Sequence, residues 1–272
     1  MNDRLTALLG PLVGNLDDPA TTEAGVIPWS CPVLVFGNPA TSRVATLGIN
    51  PSSREFIDTA GRELDGALRR FPTLRSLGIR RWADAERQHL QCVAQYCMDY
   101  FHRSPYDAWF KRLDYIIAGA GTTYYGMASA ACHLDLVPYA TAPRWAALEP
   151  NQRALLLSMS GDTFATLLRD APIEVLILNG RAVIAEFERL ATVQLDTLDM
   201  PAWTLPRRTL RGVGGSGKWG STDTVGSIRL GRGVLVLGFN HNVQSSFGVT
   251  RGVMASIRQW VSDITRKGNL VS

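Results

Sequence analysis

The chain is poor in the residues that build metal and redox centres. Its 272 residues include only four cysteines and four histidines. Cys31, Cys92, Cys97 and Cys132 form no CxxC pair and no Cys/His pair at zinc spacing, so neither a zinc site nor a thiol-redox motif is expected. No apolar run approaches the roughly 20 residues of a bilayer-spanning helix. The apolar stretch within MNDRLTALLGPLVGN is too short for a secretory signal. These absences predict a soluble cytoplasmic protein without a membrane partner, its cysteines buried as reduced thiols. Internal repeats, low-complexity tracts and linker-like segments are also lacking. One domain over 1–272 follows, with 1–32 as an N-terminal extension.

What is present is ordinary globular material, 46% hydrophobic and 19% charged, with a net charge of +4. A mildly basic chain suits a polyanion partner without requiring one. The cations cluster at Arg69-Arg70, Arg80-Arg81, Arg207-Arg208-Arg211-Lys218 and Arg251-Arg258, separated by nearly neutral stretches. They suit either one continuous groove or a solvated surface.

Periodicity places a helix at 5–13, a short strand at 33–36 and a strand at 43–50. Residues 54–102 read as amphipathic helix, as do 106–118. A strand at 130–137 follows, then a helix over 151–170, a nearly all-apolar strand at 173–178 and a helix near 182–190. Residues 191–230 read as irregular and Gly/Thr-rich. A fourth central strand spans 234–239, and a last helix 249–266. Strands separated by helices predict parallel pairing. The expected fold is therefore α/β, a three-layer α/β/α sandwich around a mainly parallel four-stranded sheet.

In such a sheet, ligands bind outside the carboxyl ends of the strands. The four expected strands end at Asn50-Pro51, at Asp135 with Pro138, at Asn179-Gly180 and at Asn240-His241. Parallel pairing would gather these ends on one rim. The first of them, RVATLGINPSS at 43–53, is a buried-strand pattern ended by a stiff Pro turn, a placement that suits an amide orienting water or substrate. It equally suits a plain strand exit with Asn50 as a cap.

GINPS at 48–52 resembles the first motif of the uracil-DNA glycosylase superfamily, nearest to its mismatch-specific and single-strand-selective branches. HNVQSS at 241–246 sits where that family keeps its second motif. HLDLV at 133–137 is similar to the strand that reads the flipped base, and LNGRA at 178–182 to the third strand. The order of the four features fits over most of residues 33–260. There are departures: Asn242 and Gln244 replace the prolines of the second motif, and Asp135 replaces the usual base-reading Asn. Phe56 is the nearest substitute for a missing stacking aromatic.

The resemblance implies a monofunctional DNA glycosylase without metal or cofactor, acting as a monomer on DNA. No lysine lies in the motif loops to form a Schiff base. Asn50 would hold the attacking water and His241 would donate to base O2 as negative charge gathers there. Gly48, Ile49, Pro51, Ser52, Phe56 and Asp135 would surround the flipped base. Asn242, Gln244, Ser245 and Ser246 would wedge into the duplex and hold phosphates, with Arg207, Arg208 and Lys218 along the backbone.

An ionised Asp135 only accepts hydrogen bonds, so it suits the exocyclic amine of cytosine rather than uracil O4. Excising ordinary cytosine would destroy the host genome, so a modified cytosine is expected. Some superfamily members excise glucosylated hydroxymethylcytosine from phage DNA in antiviral defence. The small-residue runs Gly119-Ala120-Gly121 and Ala128-Ser129-Ala130-Ala131 suit either a bulky 5-substituent or close helix packing. Alternatives are a uracil or mismatch glycosylase of base-excision repair, with a protonated Asp135, a non-catalytic nucleic-acid-binding module, and a hydrolase or transferase of free nucleosides.

Overall fold

The computed structural model describes residues 1–103, 107–126, 131–206 and 212–268. In chain order the helices are α1 (Asn2–Gly14), α2 (Pro19–Glu23), α3 (Leu74–Leu77), α4 (Arg87–Met98), α5 (Tyr100–Arg103), α6 (Asp107–Ile117), α7 (Pro150–Ser160), α8 (Thr163–Asp170), α9 (Arg181–Ala191) and α10 (Arg251–Gly268). The strands are β1 (Val44–Gly48), β2 (Cys132–Asp135), β3 (Val175–Asn179), β4 (Asp196–Asp199), β5 (Ser216–Val225) and β6 (Ile228–Phe239). The chain packs as two compact units. The first holds Met1–Ala40, Ile49–Pro105 and Leu134–Phe164; the second holds Thr41–Gly48, Tyr106–His133 and Ala165–Ser272. No helix among the described residues is long and apolar enough to cross a membrane.

In the first unit, residues 1–32 are part of the core. Leu5, Leu9 and Leu12 are buried one turn apart on α1, which packs on α4. Asp17 accepts from the backbone N–H groups of Trp82 (3.1 Å) and Ala83 (2.6 Å), and the Trp82 indole donates to Pro28 O at 2.8 Å. Phe36, Phe56, Phe71 and Tyr100 form an aromatic cluster, with Phe71 stacked on Tyr100 at 5.3 Å and Trp29 edge-on to Phe56. The helix expected over 54–102 is replaced up to Glu86 by short turns. Gly61, Gly66 and Gly78 sit there at positive φ, and Pro72 removes a donor, so continuous helix is barred. Residues 33–36 are buried but form no ladder: Val33 donates instead to Pro138 O and Gly37 to Cys97 O.

The second unit carries the sheet, strand order β2-β1-β3-β6-β5-β4; the boundary between units passes through β2. β1–β3 and β3–β6 pair in parallel, with Leu47 level with Leu178 and Asn179 level with Phe239. β6–β5 and β5–β4 pair antiparallel. The sheet is therefore six-stranded and mixed, not the four-stranded, mainly parallel one expected. Residues 216–225 alternate in burial, which is the signature of a strand with one wet face. Their Gly, Ser and Thr residues hide that signature from a hydrophobicity pattern. β4 is a fully exposed four-residue edge strand with an Asp at each end, a charge placement that discourages further pairing.

Successive β5 residues point to opposite faces. Lys218 meets Glu188 of α9, while a Cβ on neighbouring Gly217 would lie 3.1 Å from Trp260 of α10. Helices thus cover both faces of this part of the sheet. The helix expected over 151–170 is two, α7 and α8, broken at Gly161 with φ +50. Arg232 of β6 ties off α8: its guanidinium donates to the carbonyls of Leu168 (2.7 Å), Arg169 (3.1 Å) and Ile173 (3.0 Å), and also to Ala171. It thereby satisfies orphan carbonyls at a helix C-terminus with a favourable charge.

Candidate functional site

β1 delivers the chain into the Asn50-Pro51 turn. Beyond the sheet, the segment 49–52 runs beside 137–141 in the first unit. Val137 N–H donates to Ile49 O at 2.8 Å, and Ser52 bridges Thr141 in parallel. The half-buried Asn50 carboxamide donates from Nδ2 to Tyr139 O (3.2 Å) and to Thr141 Oγ1 (3.1 Å). Thr141 in turn donates to Pro143 O at 2.8 Å. A carbonyl cannot donate and the threonine proton is already used, so the amide nitrogen must face both groups. Asn50 Oδ1 is thereby turned away from them, a fixed acceptor.

Asp135 ends β2 and is 8% exposed. Pro51 is buried, and Ser52 caps the next turn by accepting from Arg54 N–H at 3.2 Å. Phe56 lies inside the aromatic cluster, packed on Trp29 and Phe71, with 1% of its surface exposed. Asn50, Ile49, Pro51, Ser52, Phe56 and Asp135 all belong to the first unit. Gly48 and the residues of 241–246 belong to the second, as does Lys218.

In the second unit, β6 delivers the chain to His241, which is buried. Its Nε2 lies 2.7 Å from Trp203 O, so Nε2 carries the proton and neutral His241 keeps its lone pair on Nδ1. Desolvation pushes its pKa below the ordinary histidine value, and the bond to Trp203 O opposes this. Neutral His241 therefore offers a second partner an acceptor; only imidazolium offers a donor there. The Trp203 indole donates to Ser256 Oγ at 3.0 Å and its ring meets Trp260 edge-on. No sequence pattern flagged Trp203 as the residue that orients this imidazole.

The loop after His241 is tied down. Asn242 Oδ1 accepts from the N–H groups of Gln244 (3.0 Å) and Ser245 (3.1 Å), closing a local turn. Asn179 accepts from Val243 N–H at 3.1 Å and donates to Gln244 Oε1 at 2.8 Å; Gln244 Nε2 donates to Trp109 O at 3.1 Å. Gln244 is thus anchored at both ends of its amide rather than projecting. Ser246 N–H donates to Asn242 O at 2.8 Å. One step further, Phe247 is 82% exposed, an aromatic at a loop tip that sequence reading missed.

Lys218 pairs with Glu188 at 2.9 Å and also donates to Leu195 O, so its charge is largely answered within the fold. Arg207, Arg208 and Arg211 lie outside the described residues, as do Ala128, Ser129 and Ala130. Gly119 is explained by packing: a Cβ there would meet Arg258 O at 2.3 Å.

The cysteines are free, and burial pushes Cys97 up to about 11 and Cys132 to about 12, so they are protonated thiols. No group of three or more His, Cys, Asp or Glu that could hold a metal occurs among the described residues. Open hollows of about 560 and 470 Å³ occur in the second unit, one beside Thr192, Ser221 and Thr224, the other beside Tyr115, Arg258 and Arg266. Neither is lined by a predicted site residue. No protein-family model matches this chain, and no curated protein sequence matches it.

Proposed function

We propose that this protein is a monofunctional DNA glycosylase. It would hydrolyse the N-glycosidic bond of a flipped pyrimidine and leave an abasic site, with a modified cytosine of phage DNA as the favoured base. The observation that carries this reading is Asn50: its amide is locked by Tyr139 O and Thr141 Oγ1 so that Oδ1 is a fixed acceptor. Attack on an oxocarbenium-like sugar needs a positioned water more than a strong base, and a fixed acceptor positions one.

Asp135, at the end of β2, is assigned to the base. As a carboxylate it accepts from an exocyclic amine, which favours cytosine-type substrates over uracil. His241 is assigned to O2 of the leaving base; the bond from Nε2 to Trp203 O leaves Nδ1 for that contact, donating only as imidazolium. With Gln244 anchored and Phe247 exposed, Phe247 takes over the insertion role that the family resemblance gave to Gln244.

The test incubates the protein with uracil-containing DNA and with DNA from phages carrying glucosylated hydroxymethylcytosine, then assays abasic sites. Modified-cytosine DNA should be cut, and Asn50→Ala should abolish cutting while DNA binding persists. Cutting of uracil DNA alone would move the protein to base-excision repair and refute the Asp135 assignment. Absence of base release on every substrate, with DNA still bound, would make it a binding module.

A further inference from the structure

Glu55 lies five residues past Asn50 and is 2% exposed, an unusual position for a glutamate. Its Oε2 accepts from the Tyr100 hydroxyl at 2.8 Å. Arg70 Nη1 stands 3.9 Å away and donates to Arg54 O at 2.6 Å, so it compensates the carboxylate only in part. Asp135 is near enough for its charge to bear on the same carboxyl. The charged and titratable groups that bear on Glu55 are thus Tyr100 of α5, Arg70 of the loop before α3 and Asp135 of β2, all within the first unit.

Two buried carboxyls within electrostatic reach of one another, with one arginine at the margin of ion pairing, resist carrying two charges. Burial, first, pushes Glu55 up to about 7; Arg70 and the Tyr100 hydrogen bond work against the rise, and Asp135 adds to it.

We propose that Glu55 is a positioning residue that holds a proton beside Asp135, so that the base-reading carboxylate acts in a pocket of single negative charge. This deepens the assignment of Asp135 to the flipped base and rests on it. When Glu55 ionises, a second charge enters the pocket and opposes the negative charge gathering on the departing pyrimidine. Base release should therefore fall as Glu55 loses its proton, over and above any loss that comes from deprotonation of His241.

The test measures single-turnover base release from pH 6 to 8.5 for the wild type and Glu55→Gln, which mimics the protonated side chain. If only the protonated Glu55 form is active, the wild type should lose about thirty-fold more than Glu55→Gln between pH 6 and 8.5, a limb from His241 being common to both. Wild-type and Glu55→Gln rates that fall in parallel across this range overturn the proposal. Carboxyl NMR of the full chain gives a readout free of catalysis. Glu55 should titrate near neutrality, and its midpoint should move down in Asp135→Asn and up in Tyr100→Phe. A midpoint in the ordinary glutamate range, or one unmoved by Asp135→Asn, overturns the carboxyl pair. If the NMR result holds but no substrate releases a base, the pair stands and the glycosylase reading falls.

Discussion

Replacing Glu55 by Gln should change the stability of the fold in a pH-dependent way whose sign is fixed. Glutamate has an ordinary pKa of 4.5, and burial raises Glu55 to about 7 in the folded protein. Below about pH 4.5 the side chain is protonated in both the folded and unfolded chain, and burial costs no charge. Between the two values the unfolded chain ionises while the folded one keeps its proton. The folded state then binds more protons, so stability falls as pH rises. Above pH 7 the loss is complete, and at 1.36 kcal/mol per pKa unit it amounts to about 3 kcal/mol.

Glutamine cannot ionise, and its amide oxygen still accepts from Tyr100. If the two match in acid below pH 4.5, Glu55→Gln should exceed the wild type by about 1 kcal/mol at pH 5 and by about 3 kcal/mol at pH 8. At about 2–3 °C per kcal/mol for a chain of this length, that is a rise of about 6–9 °C in Tm. Urea and thermal unfolding of both proteins at pH 5, 6, 7 and 8 measure it. Two stability curves that run parallel across this range would show that Glu55 is not held protonated and would refute the reasoning.

Four other outcomes are expected. Arg232→Met should cost about 3 kcal/mol in urea unfolding, because the carbonyls at the end of α8 lose a charged, multidentate donor. Gly180→Ala should cost about 2 kcal/mol, because φ is +105 and the new methyl would sit 3.1 Å from Asn242 Cβ; faster amide exchange at 241–246 would report the loosened loop. Thr141→Val removes one of the three acceptors that hold Asn50, the others being Pro51 O and Tyr139 O, and base release should slow by about tenfold at unchanged DNA affinity. Phe247→Ala should leave stability within about 0.5 kcal/mol, yet slow excision from duplex DNA more than from single-stranded DNA.

The sequence shows clearly those elements whose burial is complete. Residues 44–48, 132–135 and 175–179 are strands close to where their apolar runs predict them. Residues 234–239, the second half of β6, are also a strand as predicted, but β5 and residues 228–233 escaped because one face is wet and the small residues of β5 lie close under neighbouring side chains. At Gly220 a Cβ would come within 2.9 Å of Leu195. A hydrophobicity pattern registers neither condition. At the site, the motif drew attention to Asn50 and His241, but what orients them is largely main chain: Tyr139 O, together with Thr141 Oγ1, for one and Trp203 O for the other. Carbonyl positions set by tertiary packing leave no residue-type signature. Glu55 was passed over for a related reason, since glutamate seven places after the end of β1 reads as a solvated turn residue until its burial and the Tyr100 hydroxyl against it are seen.

The uneven span of the strand pairings also bears on how the chain assembles. β5 and β6 are joined by a two-residue turn at Gly226, whereas β1 finds β3 across a separation like the 131 positions between Arg43 and Glu174. Closing the short loop is fast and the long one slow, because chain entropy must be lost before parallel contacts repay it. Loop entropy thus favours early formation of the hairpin, with the free edge of β6 offered to β3, and later pairing of β1 with β3. The strand that leads into Asn50 is then secured late, after most of the polypeptide has been synthesised.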